Sequence, residues 1–98
     1  MIRVIYEWQV KSENIPAFRE AWKQTTTMIH ESVDGARGSF LLQEEGNPSK
    51  ILTIARWESL EAWQAFWKSE NPQEMLKMRA LGTRISVRAY GEFADYSV

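Results

Sequence analysis

Residues 51–67 read Ile-Leu-Thr-Ile-Ala-Arg-Trp-Glu-Ser-Leu-Glu-Ala-Trp-Gln-Ala-Phe-Trp, and the hydrophobic period changes in the middle of them. Ile51 to Trp57 is an extended run of β-branched, aliphatic and aromatic residues, the composition of a strand. From Leu60 the apolar positions Leu60, Trp63, Phe66 and Trp67 fall three and four apart, the spacing of one helix face. Ser59 offers a side-chain oxygen to cap that helix. A strand that runs straight into an amphipathic helix is half of a β-α-β unit, so the fold depends on what flanks it.

Upstream, Ser39 to Glu44 is a second extended run, separated from Ile51 by Glu45-Gly46-Asn47-Pro48-Ser49, which is rich in turn formers. The two runs read as a hairpin. Before them the period is helical: Ile15, Phe18, Trp22, Ile29 and Val33 share a face with Thr25 and Thr26 among them. This helix is expected over Asn14 to Ser32, with Pro16 tolerated in its first turn and Asp34-Gly35 as its stop. The chain opens with alternation, Ile2, Val4, Tyr6, Trp8 and Val10 against Arg3, Ile5, Glu7 and Gln9, the period of a strand.

Downstream, Asn71-Pro72-Gln73-Glu74 interrupts the second helix and restarts it, and the kink is expected to open one end of the space between helix and sheet. A further helical piece runs to about Leu81, where Gly82 closes it. Thr83 to Phe93 alternates again, with Ile85, Val87 and Ala89 against Arg84, Ser86, Arg88 and Tyr90. The order β-α-β-β-α-β accounts for residues 1–98 as a single ferredoxin-like α+β domain with a four-stranded antiparallel sheet.

Right-handed crossovers place both helices on one face of such a sheet. If Tyr6 and Trp8 face the helices, the other face shows Arg3, Ile5, Glu7, Gln9, Leu52, Ile54 and Arg56, joined by Arg84, Arg88, Tyr90 and Glu92. Apolar residues interleaved with charges of both signs suit a homodimer formed through this face, in which the two sheets make an α/β barrel. A C-terminal strand over Tyr90 to Tyr96, reaching across to the other subunit, would use the remaining length.

Composition narrows the chemistry. Twelve Lys and Arg against thirteen Asp and Glu give a net charge of −1, with the basic residues scattered, so nucleic acid and anionic membranes are poor partners. No cysteine means no disulfide, no thiolate metal site and no cysteine nucleophile, and a reducing cytoplasm is the expected location. The stretch from Met1 to Val10 carries Arg3, Glu7 and Gln9, unlike a signal peptide or a membrane span. Glycine-rich phosphate loops, HExxH pairs and GxSxG elbows are all missing.

What remains is an aromatic set with polar groups inside it: Tyr6, Trp8, Trp22, Trp63, Phe66 and Trp67, together with Thr26 in the middle of the first helix. Plain core filling explains large rings in a small protein. A cleft with flat walls and a few hydroxyls explains the threonines as well, and it suits a planar, mostly apolar ligand bearing oxygen substituents. His30, the single histidine, lies about 80° round the wheel from the centre of the apolar stripe, where it would meet the rim of such a cleft. One histidine builds no zinc site, though it can act as a base.

The run Ala55-Arg56-Trp57-Glu58-Ser59-Leu60-Glu61-Ala62-Trp63, followed by Phe66-Trp67, resembles the WES-x-EA signature of the antibiotic biosynthesis monooxygenase superfamily. Trp8-Gln9-Val10, Phe18-x-x-x-Trp22 and Val33-Asp34-Gly35-Ala36-Arg37-Gly38 agree with it. The resemblance implies a dimeric α/β barrel with a pocket between sheet and helices in each subunit. It also implies an activity: oxidation of a polyphenolic or quinol-like molecule by O₂ without metal or flavin cofactor. Tyr6, His30 and Arg56 are then the catalytic candidates, and Trp8, Trp22, Thr26, Trp63, Phe66 and Trp67 the substrate-binding ones. The haem-degrading branch places a histidine where this chain has Leu76, so haem is not an expected ligand. A non-catalytic ligand-binding dimer stays open as the alternative.

Overall fold

The computed structural model describes residues 1–70 and 75–97. Along them run β1 (Ile2–Gln9), a 3₁₀ turn (Ser12–Asn14), α1 (Ile15–Ser32), β2 (Ala36–Glu44), β3 (Asn47–Trp57), α2 (Leu60–Glu70), α3 (Leu76–Leu81) and β4 (Thr83–Gly91). The sheet order is β2-β3-β1-β4 with antiparallel neighbours throughout, the ferredoxin-like α+β fold that the changes of period imply. The Asn71-Pro72 restart expected between the two C-terminal helical pieces lies outside the described residues.

Each helix end follows from its sequence. The Ser59 hydroxyl accepts the Ala62 N–H at 3.1 Å and so caps α2. Gly82 ends α3, its N–H donating to the Met78 carbonyl at 3.1 Å, and a Cβ there would sit 2.9 Å from Val10. Gly35 stands at φ +88°, and a Cβ there would sit 2.7 Å from that of Ala62, so glycine lets the chain turn from α1 into β2 this close to α2.

Alternation sorts the sheet into two faces. Val4, Tyr6, Trp8 and Val10 are buried beneath the helices, and Phe18, Ala21, Phe66, Met75 and Met78 close over them. Leu60, expected on the buried stripe of α2, is 39% exposed at its first turn. The hairpin turn is shorter than expected, only Glu45-Gly46, with Glu44 opposite Asn47. Pro48 is tolerated in the extended strand because it sits beside the turn, where a missing N–H breaks little of the ladder. A register shift between Ala36 and Ser39, around Gly38 at φ +96°, starts β2 three residues earlier than its apolar run.

One assignment of faces is corrected. Register shifts between Glu7/Ser86 and Trp8/Arg84, leaving Ile85 as an extra residue in β4. The bulge reverses the parity of the strand. Arg84, expected on the outer face, therefore shares a side with Trp8, and its guanidinium lies 4.9 Å over the Trp67 ring. Ile85, expected inward with Val87, is 54% exposed instead. β4 also stops at Gly91, short of Phe93, and Phe93 and Tyr96 beyond it are wholly exposed.

The outer face pairs Ile5 with Ile54, Leu42 with Leu52, and Phe40 with Ile54. Beside this apolar strip the Glu92 carboxylate accepts the Arg3 Nε at 2.8 Å and the Arg56 Nε at 2.9 Å. Those hydrogen bonds, Arg56 first and Arg3 second, lower its pKa from 4.5 to about 2. A carboxylate lowered in the folded state contributes stability that is complete above pH 4.5 and disappears as pH falls towards 2. Melting temperatures followed down that window should therefore fall more steeply for the native chain than for Glu92→Gln. Parallel curves would show that the exposed triad contributes nothing.

Candidate active site

Between α1 and the inner face of β2 and β3 lies a cleft of about 480 Å³, its open mouth included. One wall is α1, with Trp22, Thr25, Thr26, Ile29 and, at the mouth, His30. The sheet supplies Tyr6, Ser39, Thr53, Ala55 and Trp57, while Phe66, Met75 and Met78 close the far end. Helical spacing brings Trp22, Thr25, Thr26 and Ile29 to one face, and Tyr6 faces Thr53 across neighbouring strands.

Most of the surface is apolar, so the few polar groups decide what the cleft can do. The Tyr6 hydroxyl accepts the Trp63 indole N–H at 3.2 Å, and Thr53 accepts that of Trp8 at 3.2 Å. Trp22 donates to Ser39 Oγ at 3.2 Å. Thr25 Oγ1 is buried with no hydrogen-bond partner among the described residues. Burial pushes the Tyr6 phenol above its ordinary 10, against smaller opposing effects of the Trp63 hydrogen bond and the Arg84 charge, so at neutral pH it is a proton donor.

Five of the nine expected site residues border this space with their rings or polar groups: Tyr6, Trp22, Thr26, His30 and Phe66. Trp8 does not. It is fully buried, edge-on to Phe18 with ring centroids 5.1 Å apart, and reaches the cleft only through Thr53. Trp63 and Trp67 stack on each other at 5.7 Å behind Tyr6, whose ring lies 5.8 Å from Trp67. Arg56 borders the cleft as a β3 residue, but its guanidinium is held by Glu92 on the opposite face.

The antibiotic biosynthesis monooxygenase family model matches residues 1–78. The chain belongs to that family. Solved structures agree on the fold. SnoaB of Streptomyces nogalater, described as a cofactor-independent oxygenase, superposes with a TM-score of 0.79 at 16% identity, over 97% of this chain and 95% of its own. A Deinococcus radiodurans protein that carries the family's name gives 0.76 at 16% identity, over 100% and 98%. A conserved protein of Methanosarcina mazei gives 0.72 at 20%, over 91% and 89%. No curated protein matches the chain.

Within this family member, the sequence alone did not point to Ser39 and Thr53 on the cleft's sheet wall. Thr53 is the case with a visible signal, a hydroxyl between Ile51 and Ala55 on the inward parity of β3 and opposite Tyr6. Met75 and Met78 carried none, since their placement depends on how α3 folds back against α1. β4, with Arg84, lies past the residues that the family model matches.

Proposed function

We propose that this protein is a cofactor-independent monooxygenase acting on a planar polyphenolic or quinol-like molecule held in the cleft. The observation that carries the reading is a mostly apolar space walled by flat rings, with a buried, protonated Tyr6 at its floor and His30 at its mouth. Family membership and the fold shared with SnoaB support it.

The chemistry asks little of the protein. An electron-rich phenol that has given up a proton can pass one electron to O₂, and the resulting radical pair can join at a ring carbon. Loss of water then leaves a carbonyl: a ring CH₂ and O₂ give C=O and H₂O, with one oxygen atom in each product. In this reading His30 receives the proton of a hydroxyl at the mouth, and Tyr6 donates a hydrogen bond at the floor to the conjugated oxygen onto which the charge spreads. With its charge engaged by Glu92, Arg56 has no part in this step.

The test is O₂ consumption by the metal-free protein over a panel of hydroquinones and anthrones. His30→Ala is expected to slow uptake by ~100-fold or more, and Tyr6→Phe by ~10-fold or more. Uptake unchanged in both would remove these residues from the mechanism. Ligand binding without any uptake would make the protein a binding module.

We also propose that two copies pair through the outer face, burying Ile5, Leu52, Ile54 and Phe40. A half-exposed strip of aliphatic and aromatic side chains on a chain this small gains ~25 cal/mol per Å² by leaving water. Among the described residues no helix is long and apolar enough to cross a membrane. A cysteine-free composition fits a reducing cytoplasm.

A further inference from the structure

Three hydroxyls at the bottom of the cleft share a property that none shows alone. Tyr6, Thr25 and Thr53 are 4%, 3% and 4% exposed, and all three line the same space. The partner of Tyr6 is the Trp63 indole, and that of Thr53 is the Trp8 indole. An indole N–H can only donate. Both hydroxyl oxygens therefore act as acceptors, and each O–H proton is left without a protein acceptor among the described residues. Thr25 Oγ1 has no hydrogen-bond partner among the described residues. The contrast is Ser39 on the same wall, whose hydroxyl accepts the Trp22 N–H and donates its own O–H to the Phe40 carbonyl at 3.3 Å.

Among the described residues no carboxylate or carboxamide side chain lines the cleft. The deep end is thus rich in unspent donors and poor in acceptors, an arrangement that is unfavourable until something supplies an acceptor. We infer that the cleft selects ligands bearing a carbonyl or phenolate oxygen, which the O–H groups of Tyr6, Thr25 and Thr53 receive at its buried end. Thr25 is the specificity-determining residue in this set, because its hydroxyl has no other task. The inference rests on the cleft being the ligand site proposed above, and it narrows the ligand to a planar ketone or keto-phenol oriented oxygen-inward. Protonation of Tyr6, which burial secures, keeps that donor available.

Binding of 9-fluorenone and of fluorene, a planar ketone and its hydrocarbon, tests this without turnover, read by quenching of tryptophan fluorescence. The native protein should bind the ketone ~10-fold more tightly or better, since each neutral hydrogen bond contributes roughly threefold to tenfold. Thr25→Val should reduce that preference ~3-fold or more with fluorene affinity unchanged, and Thr25→Ser should retain it. The Thr25→Val melting temperature should be no lower than native, because a methyl replaces a hydroxyl with nothing to bond. Equal affinities in the native protein, a preference untouched by Thr25→Val, a lowered melting temperature, or no quenching by either probe would each overturn the inference. The two readings fail separately. Ketone preference without O₂ uptake on the phenol panel keeps the donor set and removes the oxygenase, and uptake without preference does the reverse.

Discussion

Ile54→Asp is expected to convert the protein from a species of twice the chain mass into unfolded or aggregated monomer. Ile54 sits at the middle of the outer face, paired with Ile5 on one side and Phe40 on the other. A carboxylate there meets no cation on its two cross-strand neighbours. In the proposed dimer it would be buried unpaired in both subunits, at several kcal/mol each against a total stability of ~5–15 kcal/mol. Size-exclusion chromatography and thermal melting read the result. Met28→Asp is the control: Met28 is 46% exposed on the far side of α1, and its substitution should change neither mass nor melting. A soluble Ile54→Asp monomer that melts where the native protein does would show that the face is merely solvated.

Trp8→Ala should produce the largest loss within the single chain. Its indole has no exposed surface, packs edge-on against Phe18, and gives its N–H to Thr53. Truncating a buried ring of this size costs ~3–5 kcal/mol, which for a urea dependence of ~1 kcal/mol/M moves the midpoint down by on the order of 3 M. Trp8→Phe should recover most of the packing and yet leave Thr53 without its donor. A shift below about 1 M for Trp8→Ala would mean that the core collapses around the vacancy, and that Trp8 does not hold Thr53 in place.

How much of this was legible in the sequence depended on which physical signal each residue carried. Period change alone located β1, α1, the hairpin and the start of α2, because burial on one face of a strand or helix leaves a repeat that any reader can count. It also placed Tyr6, Trp22, Thr26 and Phe66 beside one space. Periodicity does not say which ring touches the cavity and which stands behind it, so Trp8 and Trp63 looked equivalent to Trp22. They prove to be donors that hold two of the cleft's hydroxyls. Arg84 was misplaced for a different reason. A bulge adds one residue without any mark of its own, and Ile85 is as apolar as a core residue although it faces outward.

That extra residue makes strand register, more than strand composition, the property on which β4 depends. Arg84 and Arg88 are four positions apart and would lie on one side of an unbroken strand, but Arg84 reaches inward over Trp67 while Arg88, opposite Ile5, stands on the outer side. Drawing Ile85 into the ladder, so that β4 runs without its bulge at the same length, would bring both arginines to the same side. Either a cation would leave the aromatic stack behind Tyr6, or one would be driven under the helices from the surface proposed to meet the second subunit. Exchanges of one side chain for another along β4 disturb one face at a time; a slip of one in its register disturbs the ligand cleft and the subunit contact together.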